Sequence, residues 1–148
     1  MTKCMTKCYL DSNVLIYFKN SGSVNFSRSR DLLSKLEYEG TLLYISPLCL
    51  DEFLYQTSKN LKAVGSKNHF SDLKENLTSV LNLPNISIIN PPSEINSQLE
   101  VIDLMETFSL HPRDAYHLLT MQANEIDGFA TFDTDFRKVF QAKLLIKA

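Results

Sequence analysis

Four carboxylates stand where a folded chain can put them to use. Asp11 follows the apolar run Cys8-Tyr9-Leu10, and Glu52 lies among Leu50 and Phe53. Asp114 comes just after Pro112-Arg113, and Asp133 follows Ala130-Thr131-Phe132, with Asp135 two residues on. Each alone has an ordinary explanation: an Asp after a strand caps the next helix, and an acid in a first helical turn suits the helix dipole. Together they differ, because gathered carboxylates repel, raise one another's pKa and are costly without a cation among them. An oxygen-only donor set with no Cys or His nearby selects a hard ion, Mg²⁺ or Mn²⁺, over zinc. Such a centre activates water and clamps phosphoryl oxygens, which suits phosphodiester hydrolysis.

Those acids must be brought together by the elements between them. Short apolar runs at Cys8–Leu10, Leu42–Ile45, Ile86–Ile89, Gly128–Phe132 and Lys143–Ile146 predict five strands. Helical spacing predicts helices over Val14–Phe18, Ser27–Tyr38, Pro47 to about Ala63, Phe70–Leu83, Ile95–Phe108 and Pro112 to about Asn124. Ser46-Pro47 is a cap followed by a first-turn proline, Gly40 fits a helix stop, and Ser93 is read as the cap of the helix carrying the stripe Ile95, Leu99, Ile102 and Met105. Buried strands alternating with helices predict an α/β fold of three layers, with a mostly parallel five-stranded sheet. In such sheets ligands bind at the carboxyl ends of the strands, where Asp11 and Asp133 are expected.

With 148 residues the chain is expected to form a single domain over 1–148, with residues 1–6 a flexible N-terminal tail. Nine Phe and six Tyr exclude a disordered polar chain. The longest uncharged stretch, Asn76–Ser93, is interrupted by Pro84, Pro91 and Pro92 and resembles no membrane span, and the N-terminus lacks a signal peptide's apolar run, so a cytoplasmic protein with no membrane partner is expected. Cys4, Cys8 and Cys49 cannot all pair, and no second Cys or His pair completes a zinc site. The net charge is −2, but setting the five carboxylates aside leaves a basic excess, so charge neither supports nor excludes a nucleic-acid partner.

Four segments carry a resemblance. Tyr9-Leu10-Asp11-Ser12-Asn13-Val14-Leu15-Ile16 resembles the opening motif of PIN-domain ribonucleases, the family of VapC-type toxins. Ser46-Pro47-Leu48 through Asp51-Glu52-Phe53 is similar to the second motif, Pro112-Arg113-Asp114-Ala115-Tyr116-His117-Leu118 to the third, and Ala130-Thr131-Phe132-Asp133-Thr134-Asp135-Phe136 to the closing T-x-D-x-D-F, with Phe132 where the family often has a polar residue. The resemblance implies a Mg²⁺- or Mn²⁺-dependent endoribonuclease of single-stranded RNA that leaves 5′-phosphate and 3′-hydroxyl ends. It implies Asp11, Glu52, Asp114 and Asp133 as the metal-binding catalytic quartet and Asp135 as an auxiliary ligand. Asn13 and Thr131 would orient ligands or water. A homodimer and a cognate antitoxin partner are implied as well. Arg113, with its planar fork, is the expected RNA phosphate contact, while Lys59, Lys62, Lys67 and Lys74 read equally well as a solvated face. His117 is assigned a surface or capping role.

Three alternatives remain at this level. One is a solitary PIN nuclease of RNA processing, and another a non-catalytic PIN interaction module. The third is an aspartyl-phosphate phosphatase of the haloacid dehalogenase type, whose second Asp is here Asn13, an amide that cannot serve as an acid.

Overall fold

The computed structural model describes residues 4–148. Five strands, β1 (Lys7–Leu10), β2 (Leu42–Ile45), β3 (Ile86–Ile88), β4 (Gly128–Ala130) and β5 (Ile146–Lys147), form one sheet in the order β3-β2-β1-β4-β5. Every neighbouring pair is parallel. The helices are α1 (Ser12–Phe18), α2 (Phe26–Tyr38), α3 (Pro47–Ala63), α4 (His69–Leu81), α5 (Ser97–Phe108), α6 (Pro112–Ala123) and α7 (Arg137–Gln141). α1 packs on α2 and α3, α3 on α4, and α5 on α6. Right-handed crossovers place the first group on one face of the sheet and the second on the other, giving the expected three layers. The chain moves from β1 to β2 in one direction and reaches β4 from the other. The topological switch therefore falls between β1 and β4, where such sheets open a crevice.

Burial explains why the central strands carry no alternation. Tyr9, Leu10, Ile45, Phe129 and Ala130 have no exposed surface, because helices cover both faces. Phe129 meets Phe136 edge-on at 4.6 Å between ring centroids. Ser46 caps α3 by accepting from Cys49 N, with Pro47 in the first turn as the sequence predicts. Gly40 ends α2 at φ 69°, a conformation other residues rarely adopt. Among the described residues no helix is long and apolar enough to cross a membrane.

Most boundaries agree within two residues, and the larger departures have physical reasons. α5 starts at Ser97, because the Pro91-Pro92 segment runs irregularly and Gln98 reaches back from the first turn to the carbonyls of Pro92 and Glu94. Its stripe Ile95, Leu99 and Ile102 is turned to solvent, 87%, 65% and 60% exposed, while Val101, Leu104, Met105 and Phe108 pack inward. β4 ends at Ala130 rather than Phe132, since the Thr131 side chain and the Phe132 N–H bond to neighbouring side chains. β5 is shifted to Ile146–Lys147 behind an unanticipated α7, with Lys143 at φ 58° turning the chain.

Of the tail expected over residues 1–6, Met1–Lys3 lie outside the described residues, and Thr6 is tethered. Its backbone N–H and hydroxyl, together with the Lys7 N–H at 2.8 Å, all donate to the Asp127 carboxylate ahead of β4. Burial alone would raise the Asp127 carboxyl, but these donors outweigh it and hold it below the usual range. A carboxylate depressed in the folded state stabilises above its unfolded pKa of about 4 and ceases to as the pH falls through its folded value. Asp127→Ala should therefore cost about 1–3 kcal/mol in urea unfolding at pH 7, with the gap to wild type narrowing toward pH 3. A gap below 0.5 kcal/mol or one independent of pH would contradict the tether, the former being the scatter of neutral surface changes, about ±0.5 kcal/mol.

Candidate active site

The register places the site. Leu10 pairs with Ala130, so Asp11 and Thr131 stand side by side one step beyond the paired ends, and the Asp11 N–H continues the ladder to the Ala130 carbonyl at 2.9 Å. Asp11 is the N-cap of α1, accepting from Ser12 N through Oδ1 at 2.8 Å, while Oδ2 accepts from Thr131 Oγ1 at 2.6 Å. Thr131 Oγ1 in turn accepts from Asp133 N at 3.0 Å and, more weakly, from Asn13 Nδ2 at 3.4 Å. Asn13 Oδ1 accepts from Phe132 N, so the two polar residues knit the start of α1 to the loop that carries Asp133.

Glu52 lies in the second turn of α3, one turn beyond the buried Cys49 and beside the buried Phe53. Its Oε2 accepts from Ser12 Oγ at 2.7 Å, and its Oε1 accepts from His117 Nε2 at 2.9 Å with Arg113 Nε 3.7 Å away. His117 is 1% exposed, contrary to the surface or capping role expected of it. It stands one turn after Asp114 on α6, and its Nδ1 meets Tyr9 Oη at 2.6 Å. Tyr9 Oη is also 2.6 Å from Ser46 Oγ and 3.1 Å from Cys49 Sγ. A buried polar chain thus runs from the cap of α3 through β1 and α6 to one oxygen of Glu52. The signal in the sequence is spacing: Tyr9 and Asp11 share a strand face, and Asp114 and His117 a helix face.

Among the described residues, the His, Cys, Asp and Glu side chains whose donor atoms crowd within 4.8 Å of one another are Asp11, Glu52 and His117. The donor set is therefore not free of histidine, as the sequence reading had it, although His117 Nε2 is already engaged by Glu52. Asp114 is half-buried in the first turn of α6, and Asp133 and Asp135 are exposed in the loop after β4.

The charges register one another. Burial raises the Asp11 carboxyl, which Thr131 and His117 partly offset and Glu52 and Asp133 raise further. Burial, then Asp11 and Asp135, push Asp114 up to about 6. Asp133 is raised by burial and by Asp135 and Glu52. Burial would raise Glu52 also, but donation from His117 and Ser12 and the charge of Arg113 leave it below the usual range. Burial alone would lower His117, yet its bonds to Cys49 and Glu52 and the negative charge around it push it up to about 10. Asp11, Glu52, Asp114 and Asp133 are thus linked through neighbouring negative charge, with the buried His117 and the partly exposed Arg113 set against Glu52. A hard divalent cation fits this excess of oxygen donors and negative charge.

Residues 8–140 match the PIN domain, and the chain belongs to that family. Ribonuclease VapC2 of Methanocaldococcus jannaschii is 29% identical over 139 residues, covering 90% of this chain and 89% of the relative. Among solved structures, VapBC2 from Rickettsia felis, bound to a DNA fragment from the promoter, superposes with a TM-score of 0.64 at 20% identity over 97% of this chain and 98% of that one. Mycobacterium tuberculosis VapC20, described as a sarcin-ricin loop cleaving toxin, superposes with a TM-score of 0.61 at 11% identity, over 89% and 94%. The resemblance read from the four motifs and the parallel α/β/α fold are thereby borne out.

An acid raised in the folded state costs stability because the unfolded chain gives up the proton first, so without metal the cost of Asp114 is absent well below pH 4, grows between about pH 4 and 6 and is level above that. Asp114→Asn should raise the metal-free Tm at pH 7.5 by about 2–4 °C, what about 1 kcal/mol gives in a domain of this size, and by nothing near pH 3. A lower Tm for the variant at pH 7.5 would show that Asp114 is not held against its neighbours' charge.

Proposed function

We propose that this protein is a divalent-metal-dependent endoribonuclease cutting single-stranded RNA, and that it acts in the cytoplasm as the toxin of a type II toxin–antitoxin pair. The observation that carries the reading is the convergence of Asp11 and Glu52, with Asp114 raised by its acidic neighbours, at the switch point of the sheet. The name ribonuclease borne by the M. jannaschii relative supports the activity, and the VapBC name of the R. felis structure supports an antitoxin partner.

Asp11, Glu52, Asp114 and Asp133 would hold Mg²⁺ or Mn²⁺, with Asp135 as an auxiliary ligand. When bound, the cation supplies a Lewis acid for the phosphoryl oxygens and lowers the pKa of water. The chain's own groups do the positioning. Thr131 fixes Asp11 Oδ2, Ser12 and His117 fix the two oxygens of Glu52, and Asn13 holds the loop of Asp133 in register. Arg113, beside Glu52 and more than half exposed, is placed to pair with a backbone phosphate. The apolar stripe Ile95, Leu99 and Ile102 offers a second copy a surface for a homodimer. The phosphatase alternative is weakened, since the Asn13 amide is bound up between Thr131 and Phe132 rather than directed at a leaving group.

The test is cleavage of single-stranded RNA by wild type and Asp11→Asn. Wild type should cut with Mg²⁺ or Mn²⁺ and stop in EDTA, and the variant should lose about a thousandfold or more, the scale of removing a principal electrostatic group. Equal activity in the two proteins overturns the assignment.

A further inference from the structure

Two clefts open from the acidic cluster. One, of about 530 Å³, has Glu52 on its wall together with Tyr55 and Arg113. The other, of about 350 Å³, has Asp133 on its wall together with Arg137 and Lys147. Glu52 bonds the Ser12 that Asp11 caps, and the Asp133 N–H donates to the Thr131 hydroxyl that bonds Asp11, so the clefts adjoin the same centre. Resting on the nuclease reading, we propose that they are the two arms of a track for single-stranded RNA, with Tyr55 as a base-stacking platform on one side and Arg137 and Lys147 as phosphate contacts on the other.

Tyr55 follows Glu52 by one turn of α3 and keeps 67% of its surface exposed, a large aromatic face at the edge of the site with no packing role to explain it. Lys59, a further turn on, holds its ammonium 5.3 Å from the ring centroid. An exposed lysine there is free to yield the ring face to a base and take the neighbouring phosphate, and a π-face beside a cation is how single strands are held without reading sequence. On the other arm, among the described residues, neither Arg137 nor Lys147 makes an ion pair, although the exposed Asp133 lines the same cleft. Cations left unpaired next to a carboxylate cluster suit a polyanion that must approach that cluster. They supply the local positive charge that the overall charge of −2 does not. A duplex keeps its bases stacked and gains nothing from Tyr55, so the track selects unpaired RNA.

The test uses a fluorescein-labelled single-stranded RNA of mixed sequence and its duplex, with anisotropy in EDTA and steady-state cleavage in Mg²⁺. Thermal melting shows that each variant is folded. Tyr55→Ala should weaken single-strand binding and raise KM about tenfold with kcat kept, Tyr55→Phe should stay within about twofold, and duplex binding should not respond. Arg137→Ala and Lys147→Ala should each lower the slope of log affinity against log salt by about 0.7. Unchanged Kd, KM and salt slope in variants of a protein that cuts RNA overturn the track alone, as does equal loss of duplex binding in Tyr55→Ala. Tyr55-dependent binding by a wild type that cuts nothing with either metal supports the track and overturns the nuclease reading.

Discussion

Like charges do not gather in a folded protein without compensation, and here Asp11 and Glu52 crowd together at one end of a parallel sheet, with Asp114 and Asp133 raised in part by neighbouring carboxylates. The interior behind them is filled by Tyr9, Leu10, Phe53 and Phe129, with no exposed surface, and the buried His117, pushed up to about 10, sets one positive charge against them. The chain tolerates the cluster by combining that charge with neutral donors. Ser12 N and Thr131 serve Asp11, Ser12 Oγ and His117 serve Glu52, and Thr131 is in turn steadied by Asn13. These donors set where each oxygen points while leaving the site net negative, the condition in which a divalent cation binds with gain.

The fold is the means of delivering those acids. Because the strand order turns back between β1 and β4, the residues just past both strands are neighbours, and Asp11 and Thr131 need no long side chain to meet. Glu52 reaches the same point from α3 because Ser46, at the end of β2, caps that helix and sets its rotation. The buried chain from Ser46 through Tyr9 to His117 then ties the cap, the central strand and α6 into one unit ending on Glu52. A change at Ser46 or Tyr9 is thus transmitted to a carboxylate without touching it.

Much of this was legible in the order of residues. The buried strands, the Ser46-Pro47 helix start and the acids following Leu10 and Phe132 each carry a local signal, and PIN-domain membership rests on the four motifs that contain them. His117 was illegible because its role depends on Tyr9 and Glu52, far away in the chain, and spacing from Asp114 gives only a shared face. The stripe on α5 misled for a related reason: periodicity finds an apolar face but does not say which of two faces turns inward, and Val101, Leu104 and Phe108 form the second. The short α7 and the two-residue β5 have too little sequence to carry a period at all.

The account stands or falls on whether this edge of the sheet holds a hard cation. Electron paramagnetic resonance of Mn²⁺ titrated with the metal-free protein reads bound ion directly, without reference to any substrate. The account predicts saturable binding that competes with Mg²⁺ and weakens at least tenfold in Glu52→Gln, the scale by which disturbing a ligand's support alters metal affinity, about 10–100-fold. Mn²⁺ that stays free, or binding untouched by that substitution, would contradict it.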